Sequence, residues 1–304
     1  MRARLLFLLC TLAGACGGAG APAAPAPRER AVYTSFYPTT WMAERISGGL
    51  VPVVCPVPEG ADPLAWQPDR AVLLRYQLAD LVVLNGAGYE GWAAGASLPP
   101  SRVVETAKGF EAQWMRYERA TSHSHGAAGE HTHAGLDGHT WMDPLLALEQ
   151  ARAVLLGMCR AFPEHAERFR DNARGVEADL QGLHAELEEL APRLRAARVL
   201  ASHPAYDYLA RRYGFTVANF DLDPAAELAP EQRAALEAAA RPGARNLLLW
   251  ESEPGPAAGG VPAGIASVVF APAELLTSAE RAAGADFLWI MRDNVERLAH
   301  ALGP

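Results

Sequence analysis

One rhythm constrains the fold more than any other feature of this chain: short apolar runs rich in β-branched residues alternate with stretches of helical periodicity, and the pattern occurs twice. In the first half the strand-like runs are "AVYTSF", "VPVVCPV", "LADLVVLNG" and "RVVET", with helices expected over "TTWMAERISGG" and "DRAVLLRYQ". In the second half they are "ARVLASH", "TVANF", "ARNLLLWES" and "ASVVFAP", with helices over "AYDYLARRYG", "APEQRAALEAAARPG" and "ADFLWIMRDNVERLAHALG", each ended by a glycine. Strands that alternate with helices pair in parallel and are covered on both faces. The fold class is therefore α/β: two lobes, each a mostly parallel sheet flanked by helices.

Between the halves lies "PEHAERFRDNARGVEADLQGLHAELEELAPRL", residues 163–194. Apolar positions recur there at helical spacing behind a helix-starting proline. At 1.5 Å per residue such a helix spans about 45 Å, enough for one spine joining both lobes. Phe169, Val176, Leu180, Leu183 and Leu187 read as drifting from strict heptads, which favours packing on the chain's own lobes over a coiled-coil partner. The expected organisation is a signal peptide and flexible tether over 1–30, an N-terminal lobe over 31–162 with a His-rich loop at 120–138, the linking helix over 163–194, and a C-terminal lobe over 195–304.

The opening residues, "MRARLLFLLCTLAGACGGAGAPAAPAPRER", combine two arginines, an apolar run from Leu5 to Leu12, and small residues up to Cys16. The run is well short of the roughly 20 residues that cross a bilayer, so the segment reads as an export signal. Ala13, Gly14 and Ala15 before Cys16 resemble a bacterial lipoprotein cleavage box, although a leucine is more usual where Ala13 stands, and Cys16 is therefore a lipid-anchor candidate. Cleavage near Ala23 by an ordinary signal peptidase is the alternative, and both place the protein outside the cytoplasm, periplasmic or membrane-anchored. A formal net charge of −8 without a Lys/Arg run excludes a nucleic-acid footprint and suits a cationic ligand. Beyond the signal region two cysteines remain, Cys55 and Cys159, which are either a disulfide or two thiols.

Five of the nine histidines fall in "ATSHSHGAAGEHTHAGLDGHTWMDP", residues 120–144. His139 precedes a helix whose N-cap is expected at Asp143, and loops entering such helices face the ligand-binding end of an α/β sheet. His203 follows the strand "ARVLAS" at a corner of the other lobe, before a helix expected from near Pro204. Two imidazoles at strand ends, one per lobe, are placed to meet across a cleft. Imidazole nitrogen suits Zn2+ better than it suits Mg2+ or Ca2+.

With "VYTSFYP", "GADPLAWQPD", "LADLVVLNGAGYEGW", "GHTWMDP", "SHPAYDYLARRYGF" and "FLWIMRDNVERLAHAL" in that order, the chain resembles the zinc and manganese solute-binding proteins of bacterial ABC uptake systems over nearly all of 31–303. The resemblance implies two α/β lobes joined by a long helix, a metal held between them, and delivery to an ABC permease in the inner membrane. The His-rich loop and a histidine at 203 point to the zinc branch, hence Zn2+ rather than Mn2+. His139 resembles a ligand, whereas His123, His125, His131 and His133 lie in a Gly/Ala/Ser-rich insert that reads as a mobile loop offering auxiliary metal-binding groups. Two positions depart from the family: Leu64 stands in "DPL" where a ligand histidine is usual, with Gln67 where an acid is common, and Ala271 precedes Pro272 where an aspartate is usual. Neither side chain can bind metal. Glu251, ending "NLLLWE", becomes the first choice for a third ligand, followed by Glu253, Asp62 and Glu59.

Three functions stay open at this level. The first is extracytoplasmic capture of Zn2+ by a monomer that meets the membrane only through its anchor and its permease. The second is a relative with a degenerate metal site, serving as sensor, chaperone or binder of another solute. The third, a zinc hydrolase, lacks an H-E-x-x-H pair, a G-x-S-x-G elbow and an evident general base beside either histidine, so the chain is not expected to be an enzyme.

Overall fold

The computed structural model describes residues 30–117, 121–124, 130–133 and 135–303, with backbone alone at 121–124 and 130–133. The first lobe begins with β1 (Val32–Thr34), α1 (Tyr37–Ser47), β2 (Val53–Val54), α2 (Arg70–Leu78), β3 (Leu81–Leu84) and β4 (Val103–Glu105). Its sheet is wholly parallel in the order β2-β1-β3-β4. Every residue of β1 and β3 is buried, as expected of central strands covered on both faces. These four strands coincide with the four apolar runs.

Next come β5 (Met115–Arg116), β6 (Thr121–Ser124), β7 (Glu130–His133) and β8 (Leu136–Asp137). β5 pairs antiparallel with β8, and β6 with β7. This corrects the sequence expectation of a loop without regular structure for the His-rich insert. The two arms "TSHS" and "EHTH" are polar on both faces, so they carry no apolar alternation by which a strand is recognised. Their register sets His123 opposite His131 and Thr121 opposite His133. Cys16 and His125 lie outside the described residues.

α3 (Pro144–Ala161) and α4 (Ala166–Ala196) follow. α3 lies so close to the first sheet that a Cβ on Gly157 would sit 2.6 Å from Val104 Cγ2. The spine helix starts three residues after Pro163, which belongs to a short helical turn, Pro163–His165, and it runs two residues past Leu194. Its buried positions are Phe169, Ala173, Val176, Leu180, Leu183, Leu187, Leu190 and Leu194, joined by Ala191. The first eight are separated alternately by four and three residues. The sequence reading of drift was wrong: Phe169, Val176, Leu180, Leu183 and Leu187 already keep heptad spacing, and Ala173, Leu190 and Leu194 complete it. Its seam is nevertheless filled from within the chain, by α1, α3 and α8.

The second lobe contains β9 (Arg198–Ala201), α5 (Asp207–Tyr213), β10 (Val217–Asn219), α6 (Pro230–Ala239), β11 (Asn246–Trp250), β12 (Ile265–Val269), α7 (Ser278–Ala282) and α8 (Phe287–Leu302). α5 starts three residues later than Pro204. The sheet is again parallel, in the order β10-β9-β11-β12, so both lobes use one topology. Val32, Leu81 and Val83 of the first sheet belong to the same continuous apolar core as Val199, Leu247 and Leu249 of the second, with the α4 seam running through it.

Polar ties reinforce that core. Asp143 is buried, caps α3 by accepting from Leu145 N, and receives Arg212 of α5 through Nε at 2.8 Å and Nη2 at 2.7 Å. Asp286, the N-cap of α8, accepts from Trp41 Nε1 of α1 at 3.1 Å. Cys55 and Cys159 are separate thiols. Among the described residues no helix is long and apolar enough to cross a membrane.

A core shared through one helix makes the lobes a single cooperative unit. Leu183→Ala removes a fully buried side chain from the middle of the seam and should cost about 2–5 kcal/mol. Urea unfolding followed separately by tryptophan fluorescence and by far-ultraviolet circular dichroism should show one coincident transition, displaced to lower urea in the variant; two separated transitions would contradict the shared core.

Candidate functional site

His203 lies two residues past the end of β9, and Glu251 follows β11 directly. The chain leaves β9 toward β10 on one side and returns through β11 toward β12 on the other, so these residues stand at the topological switch point of the second sheet, at its carboxyl edge. His139 comes from the first lobe, on the turn that leads into α3. Asn85, just past β3, donates through Nδ2 to Gly138 O at 2.8 Å. A Cβ on Gly138 would lie 2.9 Å from Tyr89 Cδ2, so only glycine lets this turn pack on Tyr89. The rings of His139 and His203 thereby meet edge to face with centroids 5.8 Å apart, and they are only 1 % and 6 % exposed.

A carboxylate overlooked in the sequence completes this cluster. Glu274 places Oε1 3.2 Å from His139 Nε2. It lies in "APAELL", three residues beyond the position where Ala271 replaces the expected aspartate. The same loop that lost one oxygen therefore presents another. Ala273 adopts a left-handed backbone (φ 58°), rare for a residue with a side chain. The loop is held there by Trp141 Nε1 donating to Pro272 O at 2.8 Å and by Tyr37 N donating to Glu274 O at 2.9 Å. Both donors come from the first lobe. The signal available in the sequence was an acid close to the vacated position, beyond the exact spacing of the motif.

Glu251 pairs with His203 instead of His139, its Oε2 lying 3.8 Å from His203 Nδ1. Glu251, Glu274 and Asp62 line one cavity of about 340 Å3 that opens between Gly60–Pro63 and the loop around Glu274, with Glu280 at its side. Asp62 also accepts from Leu64 N at 2.8 Å through Oδ1, closing its own turn. Leu64 packs half-buried on the main core. Glu59 accepts from Ser278 Oγ at 2.5 Å and Glu253 pairs with Arg297, both outside the cluster. A larger cavity of about 720 Å3 lies beside the ends of β3 and β4; neither histidine lines either cavity, and the smaller one reaches them only through Glu274 and Glu251.

Burial disfavours a charged imidazole at His139, yet hydrogen bonds from the ring to Asp137 and Glu274, with the charges of those two carboxylates, outweigh it and raise the pKa to about 10. The site is thus built to hold positive charge between carboxylates. Among the described residues no three His, Cys, Asp or Glu side chains are already drawn together as a closed metal shell. They stand as two pairs, His139 with Glu274 and His203 with Glu251. At Zn–N distances near 2.0–2.1 Å and tetrahedral angles, two imidazoles on one zinc have centroids about 5 Å apart. The observed 5.8 Å is within a small side-chain adjustment of that.

The family described as zinc-uptake complex component A, periplasmic (ZnuA) matches residues 32–301 of the chain. Among characterised proteins the chain is similar to the zinc-binding lipoprotein AdcA of Streptococcus pneumoniae, with 24% identity over 275 residues that cover 88% of this chain and 54% of that one. It is also similar to the zinc-binding protein AdcA of Streptococcus pyogenes, with 26% identity over 283 residues covering 88% and 55%. The chain spans about half the length of these relatives. In structure it resembles the metal-dependent lipoprotein YcdH of Bacillus subtilis, with a TM-score of 0.74, 24% identity and coverage of 88% of this chain and 97% of that one. The Zn(II)-bound ZnuA-like domain of Streptococcus pneumoniae AdcA gives a TM-score of 0.73 at 22% identity, covering 89% and 97%. At such identities the structural likeness establishes the fold.

The raised pKa of His139 carries a stability consequence with a definite sign. A histidine whose folded pKa exceeds its ordinary value of about 6.5 stabilises the fold fully below that pH and loses the contribution as pH climbs through about 10. The difference in thermal midpoint between metal-free wild type and His139→Gln should therefore shrink as pH rises from 6.5 to 10. Glu274→Gln, which removes one of the two carboxylates, should flatten that dependence.

Proposed function

From the membership of this chain in the periplasmic zinc-uptake component A family, we propose that it captures Zn2+ outside the cytoplasm and passes it to an ABC permease. The observation that carries this reading is the convergence of two buried imidazoles, one from each lobe, beside two carboxylates. His139, His203, Glu274 and Glu251 are the proposed ligands, two nitrogen and two oxygen donors, which suits a four-coordinate zinc. Glu274 takes the place of the oxygen lost at Ala271. The imidazole lost at Leu64 is not replaced in kind: the nearest donor on that loop is Asp62, at the cavity wall, where it would attract the incoming cation.

The geometry gives the capture its chemistry. In the metal-free state the ring of His139 carries a proton on the side facing Glu274, so the ion displaces a proton and inherits its carboxylate. Capture is therefore proton-coupled, tightening with pH. The stiff α4 seam restricts the motion that accompanies it to small shifts of the loops carrying Asp62 and Glu274. In the insert, the β6–β7 register sets positions 123, 131 and 133 on one face of the ladder, an arrangement that supports an auxiliary role for His123, His131 and His133, with His125 in the intervening segment. Family membership also supports an extracytoplasmic location, with Cys16 as the proposed anchor.

Competition titration of the purified protein with Zn2+ and Mn2+ tests the reading. His139→Ala, His203→Ala and Glu274→Ala should each weaken Zn2+ binding by about 100-fold or more, a greater loss than is usual for residues that only support a ligand. Deleting 121–133 should leave the tight site intact and remove weaker equivalents. Calorimetry in two buffers of different ionisation enthalpy should report about one proton released per Zn2+ near neutral pH. Tight binding that survives the loss of both histidines would overturn the cleft assignment.

A further inference from the structure

We infer that Asp137 and Tyr117 are positioning residues that hold a proton on His139 Nδ1, so that the proton an arriving ion displaces is the one on Nε2 and the neutral ring binds through that nitrogen. The inference rests on the metal reading of that cleft and adds to it the pair that orients one ligand. A single oxygen, Asp137 Oδ1, accepts from His139 Nδ1 at 2.8 Å, from the His139 backbone N at 2.9 Å, and from Tyr117 OH at 3.1 Å. Tyr117 OH also lies 3.2 Å from His139 Nδ1. Since that nitrogen already donates to the carboxylate, the phenol donates to the carboxylate as well, and three donors surround one acceptor.

The arrangement is decisive because Asp137 and His139 are each only 1 % exposed, and water is not at hand to replace a lost partner. In the opposite tautomer the lone pair would sit on Nδ1 and face Asp137, leaving Nε2 capped by a proton and unable to take an ion. Every hydrogen bond that favours Nδ1–H is thus converted into affinity at Nε2, the general logic of carboxylates placed behind metal-binding histidines. The oxygen's position is itself enforced. Tyr208 of α5 donates to Asp137 O at 3.1 Å and accepts from Met115 N at 2.9 Å, pinning β8 and β5 together from the second lobe. Met115 and Asp137 are cross-strand partners, and Tyr117 follows β5 directly, so the phenol and the carboxylate are set side by side by the strand pairing.

The test uses the full chain and three readouts: Zn2+ affinity by competition, the visible absorption of the Co2+ complex, and the thermal midpoint without metal. Tyr117→Phe deletes one hydroxyl and keeps the ring, and should weaken Zn2+ binding by about 10-fold. Asp137→Ala should weaken it by about 100-fold and alter the intensity of the Co2+ bands, while Asp137→Asn, which retains an acceptor oxygen, should recover part of the loss. Tyr213→Phe, which loses only the hydroxyl that meets His184 Nδ1 at 3.1 Å, serves as the structural control: its midpoint should fall while affinity and Co2+ spectrum stay close to wild type. Unchanged affinity and spectrum in Tyr117→Phe and Asp137→Ala would overturn the inference, as would an affinity loss that merely follows the midpoint and appears equally in Tyr213→Phe. If wild type itself binds neither Zn2+ nor Co2+, it is the cleft reading that fails; if wild type binds and only His139→Ala is impaired, the positioning role alone falls.

Discussion

The seam of α4 governs the site although none of its residues touches it. Eight buried positions at alternating four- and three-residue steps give the helix one continuous apolar edge, and α1, α3 and α8 fill it. Since those helices belong to both lobes, the separation between the two sheets is fixed by core packing, which resists deformation at the scale of a methylene. Asp143 and Arg212 fix it again from the polar side: a buried carboxylate that loses its guanidinium is left as an unpaired charge, at a cost of about 3–5 kcal/mol. A 5.8 Å spacing between rings carried by different lobes is meaningful only under such constraints. Were the lobes free to swing, the same two histidines would spend most of their time apart, and affinity would be reduced by the fraction of molecules in the closed state.

Much of this was legible in the sequence because it rests on periodicity. The eight sheet strands follow from their apolar runs, and the spine from thirty residues of helical spacing. His139 and His203 were readable because each lies at a punctuation point, one after Gly138 ahead of an N-cap aspartate, the other at the end of an apolar strand. What escaped depends on relations that periodicity does not encode. Glu274 reaches His139 only because Ala273 takes a left-handed turn held by Trp141 and Tyr37, residues more than a hundred positions earlier in the chain. Asp137 looked like a loop residue; its importance arises from the pairing of β8 with β5, two-residue strands too short to leave a pattern. The histidine-bearing arms failed as strands for the same reason in another form, being polar on both faces. The heptad of α4, by contrast, was open to reading, since Phe169, Val176, Leu180, Leu183 and Leu187 keep it without Ala173.

The two missing family residues look different once the loops are in place. Ala271 leaves space in its loop, and Glu274, with a longer side chain, crosses it from three residues away. Asn294 of α8 anchors that loop, clasping Ala271 through both backbone groups, receiving its N–H at 2.9 Å and donating to its carbonyl at 2.8 Å. Leu64 has no such substitute, and its side chain turns to the core. If the proposed ligands hold the ion, the cleft exchanges one nitrogen donor for oxygen, a change toward harder ligands that lowers the premium on zinc relative to cations favouring carboxylate.

Two lobes of one topology raise the question of why only the second supplies a strand-end histidine and carboxylate. The equivalent switch point of the first sheet lies between Ser35, after β1, and Asn85, after β3. It is occupied from within. The buried carboxylate of Glu90 accepts from Ser35 Oγ at 2.5 Å, Asn85 N at 2.7 Å and Gly86 N at 3.0 Å, using the donors that such a crevice would present to an anionic ligand. Asn85 then extends the network outward, holding Gly138 O and accepting from Thr140 Oγ1 and Gln150 Nε2 through its own oxygen. The first lobe thus fills its switch point from within, and the filling residues form a platform under the His139 turn. The second lobe keeps its crevice open, with His203 and Glu251 at the rim. One lobe contributes rigidity and a single imidazole held from behind; the other contributes a second imidazole and two carboxylates, and the cavity opens between them.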